Sequence, residues 1–308
     1  MIRGHLPTGL PPGTLLTFLL VSVLVPVSCE SQDAVGKFAA SSVAGLQRGT
    51  LVLRDMPASC QRSVQAQLPV DQFLFNDEMA RSLRICTDHI HVTEVLAISS
   101  VLTAYFSALG ELASSSASPS PAAQEAGRDA KAIQTAAPSG TAQPPGPSIQ
   151  QAKGSVDQIA ALLDDFATGR LRHKALKDAL TKADPAVSEL TQVLSRMVQE
   201  DYVNELLADE RDKEANRFTR LAHSPDPKPA FGDLLTLNGQ WVQISAHIDS
   251  RQAAAHSYIE ALRQIRAGHA TLARQFSLGK LKAKELDPAL EPYASSLAEL
   301  TTQIGMPF

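Results

Sequence analysis

Two stretches of this sequence, FATGRLRHKALKDALTKADPAVSELTQVL at 166–194 and FSLGKLKAKELDPALEPYASSLAELTTQI at 276–304, align without a gap at a shift of 110 positions. Ten aligned positions carry the same residue, namely the pairs Phe166/Phe276, Gly169/Gly279, Leu171/Leu281, Lys174/Lys284, Leu176/Leu286, Ala179/Ala289, Leu180/Leu290, Glu189/Glu299, Leu190/Leu300 and Thr191/Thr301. So many identities in one register indicate an internal duplication, although helices rich in Ala and Leu can also align by composition. Each copy predicts a glycine-containing turn followed by a returning helix.

The duplicated unit extends upstream, but its first copy is interrupted. The upstream pairs are Tyr105/Tyr258, Ala108/Ala261 and Leu109/Leu262. In the first copy, residues 114–148 follow these positions; they are rich in Ser, Ala, Pro, Gly and Gln and contain no aromatic residue. Because such a segment cannot bury enough apolar surface to offset its ordering entropy, we expect a disordered insertion. The two units would share one core, since neither can bury its apolar stripe alone.

Composition and periodicity predict the fold class for the whole chain. Of its 308 residues, 44% are hydrophobic, which is enough for a sizeable core. We therefore expect an all-α protein, an antiparallel multi-helix bundle with an internal duplication. The expected organisation is a signal peptide at 1–28, N-terminal helices and the first half of repeat 1 at 29–113, the insertion at 114–148, the second half of repeat 1 at 149–222, a linker at 223–230 and repeat 2 at 231–308. Residues 29–113 and 149–308 would form one bundle.

The spacing of apolar residues also places the helices. It predicts helices over 33–51, around Cys60, and over 76–112, 156–166, 171–180, 184–222, 233–275 and 288–304. Asp55 is expected to cap the short helix around Cys60, with Pro57 in its first turn. Asp184 and Pro185 are expected to begin the helix that follows them. The charged stretch 209–220 predicts a solvated helix beyond the core, or alternatively a binding arm.

The first 28 residues have the features of a secretory signal peptide. They contain one basic residue, Arg3, and then an uninterrupted apolar run from Leu15 to Val25. This run has 11 residues, whereas a membrane-spanning helix needs about 20. No other stretch comes closer to that length, so we expect no transmembrane helix.

The end of this leader resembles the lipobox of bacterial lipoproteins. Val27, Ser28 and Cys29 fit that motif, while Pro26 stands where an aliphatic residue is usual. The resemblance implies a lipid on Cys29, which attaches the protein to a membrane surface. Glu30 in place of Asp implies an outer-membrane lipoprotein facing the periplasm. The alternative is ordinary signal-peptidase cleavage, which would release a soluble secreted or periplasmic protein.

The cysteine count agrees with export. If Cys29 carries lipid, Cys60 and Cys86 remain as a pair in an oxidising compartment. We expect them to form a disulfide; the alternative is two buried, reduced thiols. Closing a loop of this size is worth roughly 3 kcal/mol in the chain-entropy model.

Charge and motifs argue against several functions. The formal net charge of -4 does not favour an electrostatically driven nucleic-acid binder. HExxH, GxSxG, GxxxxGK[ST], GxGxxG and CxxC are all absent from the sequence, so neither an enzyme class nor a cofactor is indicated. The one group of metal-ligand types is Cys86, Asp88, His89 and His91. On a helix, His89 and His91 would point about 200° apart, so we expect no metal site.

Basic residues follow both repeat glycines. They are Arg170, Arg172 and Lys174 in the first copy and Lys280, Lys282 and Lys284 in the second. They are candidates for contact with anionic lipid headgroups or an acidic partner. The alternative is that they are solvated turn residues near a helix end, where cations are mildly favourable.

Together these features predict an exported, lipid-anchored, non-catalytic protein. Its expected role is structural or adaptor, with one bundle face contacting a protein partner in the cell envelope. The alternative is a periplasmic ligand-binding or sensory bundle with a pocket between the repeats. Small residues facing inward around Tyr105 and Tyr258 would favour the pocket, whereas a continuous exposed apolar patch would favour the adaptor.

Overall fold

The computed structural model describes residues 28–67, 86, 92–113, 147–167, 176–225, 228–278 and 283–308. Nearly all of these residues are helical, and no strand occurs among them. The elements are α1 (Ser28–Gln67), α2 (Val92–Ala113), α3 (Pro147–Ala167), α4 (Leu176–Met197), a π-helical segment (Val198–Leu207), α5 (Ala208–Ala222), α6 (Phe231–Ser277) and α7 (Ala283–Gly305). The predicted all-α bundle is confirmed.

Helix α1 is one continuous helix of 40 residues, where the sequence predicted two separate helices. Pro57 lies inside it, and Asp55 is not a cap. Proline disfavours a helix interior by about 3 kcal/mol, because it removes a backbone donor and crowds the preceding turn. Buried residues nevertheless continue at helical spacing through this point, with Leu53, Met56 and Ser59. Packing against the bundle therefore outweighs the local preference.

The elements α4, the π segment and α5 form one unbroken helical stretch from Leu176 to Ala222. Asp184 and Pro185 lie inside α4, so the prediction that they begin a helix is wrong. The stretch is as long as α6, which has 47 residues, and packs against it. The two run antiparallel, because contacts join Asp184 to His269 at one level and Glu210 to Arg251 at another.

The core lies where α1 and α6 meet the remaining helices. Helix α1 packs against α2, α6 and α7, and α6 packs against α4 and α7. Two glycines let aromatic rings lie directly on a neighbouring helix backbone. The Tyr258 ring of α6 covers Gly49 of α1, and the Phe38 ring of α1 covers Gly268 of α6, leaving no room for a Cβ at either glycine. Helices α1 and α6 thus approach closely at two levels.

Helix α2 is long and apolar enough to cross a membrane, judged by length and composition. The expectation that no stretch beyond the leader comes closer to the length of a membrane-spanning helix is therefore wrong. Among the described residues it is the one helix that meets this test, and 56% of its most apolar window is buried inside the bundle. Val101, Tyr105 and Leu109 have no exposed surface. A core helix has this same composition, and α2 occupies a core position.

Both aligned stretches form returning helices, α4 and α7, which pack against α3 and α6 respectively. Leu180 and Leu290 are buried at equivalent places. Thr191 and Thr301 each donate a hydrogen bond to the carbonyl four residues earlier. The duplication itself stays a prediction. Residues 114–146 of the expected insertion lie outside the described residues, and α3 begins at Pro147.

Candidate functional site

Four charged side chains from three helices meet inside the bundle. Asp55 and Arg62 lie on α1, Glu210 on α5 and Arg251 on α6; we call them the ion cluster. Arg62 donates from Nη2 to Asp55 Oδ2 over 2.7 Å and from Nε to Glu210 Oε1 over 2.8 Å. Arg251 donates from Nη2 to Glu210 Oε1 over 2.7 Å, with Nη1 3.4 Å from Asp55 Oδ2. Each carboxylate therefore contacts both guanidinium groups.

Two hydroxyl groups complete the ion cluster. Tyr202 in the π segment donates to Asp55 Oδ2 over 2.6 Å, and Ser59 donates to Glu210 Oε2 over 2.6 Å. The Glu210 side chain keeps only 2% of its surface exposed and that of Arg251 keeps 9%. Charges this deeply buried are tolerated only when they are paired and hydrogen-bonded. The closed arrangement leaves neither Glu210 nor Arg251 available to a substrate, so the cluster pins α1, α5 and α6 together.

Burial and pairing oppose each other in this cluster. Burial raises the pKa of Glu210, and this effect exceeds the lowering by Ser59 and Arg62. Burial lowers the pKa of Arg62, but Asp55 and Glu210 outweigh it, so the pKa of Arg62 is raised. The pKa of Tyr202 is also raised by burial, and Asp55 adds to the shift. Tyr202 therefore keeps its proton and acts as a hydrogen-bond donor.

The expectation that 209–220 is a solvated extension is wrong. Glu210, Glu214 and Phe218 are buried at helical spacing along α5. Arg220 in the last turn donates from Nη2 to the carbonyl of Ala66 at the end of α1 over 3.1 Å. The sequence analysis could not predict this packing, because the charged residues of 209–220 are typical of an exposed helix and the partners of Glu210 lie on α1 and α6, far away in the sequence.

A second buried polar group links α2, α4 and α6. His269 has no exposed surface; its Nε2 lies 2.8 Å from the Tyr105 hydroxyl and its Nδ1 lies 2.8 Å from Asp184 Oδ1. In the neutral tautomer with the proton on Nδ1, His269 donates to Asp184 and accepts from Tyr105. Burial raises the pKa of Tyr105, and its hydroxyl is enclosed by the core. This group therefore connects three helices without presenting a reactive atom to a substrate.

Exposed apolar side chains are concentrated in the first turns of α6. Phe231, Leu234, Leu235 and Val242 expose 76%, 37%, 58% and 57% of their surface; we call them the α6 apolar surface. No Asp, Glu, Lys or Arg occurs from 234 to 248. Contiguous exposed apolar residues of this kind are typical of interaction sites.

Helix α5 supports the α6 apolar surface from one side. The Trp241 ring of α6 lies 5.9 Å from the Phe218 ring of α5, between ring centroids. Arg211 of α5 bonds to Ser245 and Asp249 further along α6. These contacts hold α6 against α5 between Trp241 and Asp249 and leave the α6 apolar surface exposed.

The α6 apolar surface lies near the C-terminal end of α1. The Arg220–Ala66 hydrogen bond places the end of α5 at the end of α1, and α6 begins at Phe231 after a short connection. Helix α1 has 40 residues, which corresponds to about 60 Å at 1.5 Å per residue. Cys29 belongs to its first turn. The α6 apolar surface therefore lies towards the C-terminal end of α1, and Cys29 lies at the N-terminal end of α1.

The predicted pairing of Cys60 and Cys86 is present as a disulfide with 5.6 Å between the Cα atoms. It joins α1 to the segment that precedes α2. Cys60 follows Ser59, whose hydroxyl group donates to Glu210 of the ion cluster. Within the described parts of the chain, no group of three or more His, Cys, Asp and Glu residues is arranged to hold a metal ion. Asp88, His89 and His91 lie outside those parts.

Several predicted site residues fall outside the described positions. These are Arg170, Arg172, Lys174, Lys280 and Lys282, together with the side chains of Cys29 and Lys284. The predicted role of the two basic groups therefore stays a prediction. The sequence analysis did not predict the ion cluster or the group around His269. Members of the ion cluster lie up to 196 residues apart in the sequence.

No protein-family model matches this chain, and neither the curated proteins nor the solved structures give a match. Similarity therefore assigns no family, and the interpretation of function depends on the surfaces and clusters described above.

Proposed function

We propose that this protein is an exported, non-catalytic adaptor that is anchored by lipid at Cys29 and binds a protein partner through the α6 apolar surface. The observation that carries the proposal is the exposure of Phe231, Leu235 and Val242 at the start of a helix whose buried residues begin at Ile248. Leaving three large apolar side chains in water costs roughly 1.5–3 kcal/mol for each one that could be buried. A partner that covers them would recover this energy.

The arrangement of buried groups supports an adaptor rather than a ligand-binding bundle. The small residues near Tyr258 do not face an open space, because the Tyr258 ring fills the position above Gly49. Tyr105 is likewise enclosed, with its ring 5.2 Å from Phe106 and its hydroxyl bonded to His269. The space around Tyr105 and Tyr258, where a pocket between the repeats was expected, is thus filled by the chain's own aromatic rings.

The position of the α6 apolar surface relative to Cys29 suggests what the lipid anchor would do. A lipid on Cys29 would hold the N-terminal end of α1 at the membrane, and α1 would place the α6 apolar surface about 60 Å along its axis from that end. The partner would then be met away from the anchoring bilayer. The buried ion cluster supports this geometry, because it fixes α5 and α6 to α1 at Arg251, which lies nine residues along α6 from Val242.

The proposal is tested by photo-crosslinking in intact cells that produce the full chain. A photoreactive amino acid replaces Val242, and the matched control carries it at Arg263, which is exposed on the same helix outside the surface. We expect a specific protein adduct from position 242 and none from 263. Equal labelling at both positions, or no adduct from position 242, would contradict a binding role for this surface.

A further inference from the structure

We propose that the end of the bundle at which α1 begins binds a membrane surface rich in anionic phospholipid. This end is a different part of the molecule from the α6 apolar surface, and its binding does not require a lipid on Cys29. Three observations support it: the helix ends that meet there, the exposed residues on those helix ends, and the basic sequence that connects them.

The end of α6 lies beside the start of α1. The two helices run antiparallel, because successive positions along α1 contact earlier positions of α6. The Phe38 ring of α1 lies on Gly268 of α6. Cys29 precedes Phe38 by nine residues, and Ser277 follows Gly268 by nine residues. At 1.5 Å per residue, Cys29 and Ser277 therefore both lie about 13 Å beyond this contact, in the same direction.

Two more helices begin at this level. Lys177 in the first turn of α4 donates from Nζ to the carbonyl of Ser277 over 3.2 Å. Helix α7 begins at Ala283, four connecting residues after Leu278 at the end of α6. The starts of α1, α4 and α7 and the end of α6 thus share one end of the bundle.

The described residues of this end combine positive charge with an exposed apolar side chain. Lys177 and Arg274 are exposed, and Leu278 exposes 58% of its surface; we call these three residues the basic end. Lys and Arg beside an exposed Leu are typical of surfaces that lie at the boundary between lipid headgroups and acyl chains. There the cations contact the headgroups, and the apolar side chain enters the acyl region.

The connections between these helices add further positive charge. Residues 168–175 lead into α4 and residues 279–282 lead into α7; both stretches lie outside the described residues. Neither contains Asp or Glu. They and the first turn of α7 contain the predicted basic groups, namely Arg170, Arg172, Lys174, Lys280, Lys282 and Lys284. Because each connection is attached to a helix end at this level, its charge stays at this end of the bundle. Together with Lys177 and Arg274, these six residues outnumber the carboxylates on the adjoining helix turns, which are Asp164, Asp165, Asp178, Glu285 and Asp287.

A lipid surface fits these features better than an acidic protein does. Anionic headgroups attract clustered Lys and Arg without a fixed geometry, so cations on several separate helix ends can all contribute. Leu278 would gain apolar contacts in a bilayer. Cys29, where the secretory leader ends, belongs to the same end, so attachment through the leader or through a lipid would bring this end to the bilayer first. The α6 apolar surface would then point away from the membrane.

The first test is photo-labelling of the full chain in intact cells. A photoreactive amino acid replaces Leu278, and the matched control carries it at Leu235, which is also 58% exposed but lies at the opposite end of α6. We expect a phospholipid adduct at position 278 and none at position 235, as measured by mass spectrometry of the labelled peptides. Equal lipid labelling at both positions, a protein adduct in place of lipid at 278, or no adduct at 278 would overturn the proposal.

The second test measures the charge dependence without an acyl group. The full chain with Cys29→Ser, which cannot be acylated there, is sedimented with vesicles of phosphatidylglycerol and phosphatidylcholine, and with vesicles of phosphatidylcholine alone as the baseline. We expect tighter binding to the anionic vesicles, weakened by added salt. Lys177→Glu with Arg274→Glu should weaken it about tenfold or more.

The matched control is Arg54→Glu with Lys228→Glu, because both residues are exposed away from this end and the change in net charge is the same. This control should retain most of the preference for anionic vesicles, and circular dichroism should show that both variants are folded. Equal losses from the two variants, or equal binding of the parent chain to both kinds of vesicle, would contradict the proposal. Neither result bears on the protein adduct expected at position 242, so the adaptor function stands or fails separately.

Discussion

Arg251 on α6 donates a hydrogen bond to Glu210 on α5 over 2.7 Å, with both side chains at least nine-tenths buried. Removing either residue leaves a buried charge with one ionic partner fewer, because Glu210 would keep only Arg62 and Arg251 would keep only Asp55. Removing one member of such a pair typically costs 3–5 kcal/mol, even where the intact pair adds little net stability. The Arg251–Glu210 contact therefore joins α5 to α6, while Arg62 and Asp55 connect this pair to α1.

Arg251→Met should destabilise the protein by about 3–5 kcal/mol in the free energy of unfolding, because Glu210 and Asp55 lose a buried cation. Urea unfolding followed by circular dichroism measures this change. The control is Arg263→Met, where the arginine is 62% exposed and pairs with Glu260 on the surface; its effect should stay below about 0.5 kcal/mol. Similar losses from both variants would contradict the structural importance of the cluster.

Gly49→Ala should destabilise the protein by about 1–3 kcal/mol, because the new methyl group meets the Tyr258 ring and forces α1 and α6 apart. Gly154→Ala on α3 is the matched control, since nothing lies within 4 Å of a Cβ at that position. There the substitution should stabilise by roughly 0.5–1 kcal/mol through higher helix propensity. Thermal unfolding measures both signs, and a stabilising Gly49→Ala would show that the close approach is wrong.

Loss of the Cys60–Cys86 disulfide should cost about 3 kcal/mol in the free energy of unfolding, as expected for a closed loop with 26 residues of separation. The double variant Cys60→Ser with Cys86→Ser measures it against the oxidised protein in urea. Adding a reductant to the oxidised protein should reproduce the loss, whereas the double variant should not respond to the reductant. A reductant effect of equal size on both would point to another cause.

Glu210 should give the stability a specific dependence on pH. Burial raises the folded-state pKa of Glu210 above the ordinary 4.5. Between pH 4.5 and this raised pKa, the folded state therefore holds more protons than the unfolded state. The contribution of Glu210 is therefore fully present below pH 4.5 and is lost as the pH rises through the folded-state pKa. Melting temperatures between pH 4 and 7 should fall less with rising pH in Glu210→Gln than in the native protein.

The proposed lipid anchor would have a direct signature in the intact mass of the mature protein purified from membranes. We expect an acyl adduct on Cys29 and a gain of two hydrogens upon reduction of the Cys60–Cys86 disulfide. Cys29→Ser should lose the acyl adduct and leave the membrane fraction, while still gaining two hydrogens on reduction. A native mass without lipid, beginning near residue 30, would favour the soluble alternative and remove the anchor from the proposed function.

Sequence periodicity was enough to predict the all-α fold and, to within a few residues, the long helix α6. It failed where long-range packing outweighs local signals. Asp55 has the features of a helix cap, but its carboxylate is bound by Arg62 within the same helix and by Tyr202 from the π segment. Asp184 and Pro185 resemble a helix start for a similar reason, and the carboxylate of Asp184 instead binds His269 across the bundle.

The candidate site was harder to predict than the fold. The α6 apolar surface carries the same apolar residues as a buried helix face, and the sequence alone does not tell that no neighbouring helix covers Phe231 or Val242. The ion cluster was hidden because Glu210 lies among other charged residues on α5, and its partner on α1 is 148 positions away. Periodicity reports which residues share a face of one helix, but it does not report which faces meet.

The π segment makes the chain unusually sensitive to the number of residues between 198 and 207. A π turn closes hydrogen bonds from residue i to i+5 and so contains more residues than an α turn. Deleting a single residue there would let the segment tighten towards an α-helix and would turn α5 about its own axis. Glu210 would then face away from Arg62 and Arg251 although no charged residue had changed. Insertions and deletions in this short segment should therefore be tolerated far less well than substitutions on its exposed side.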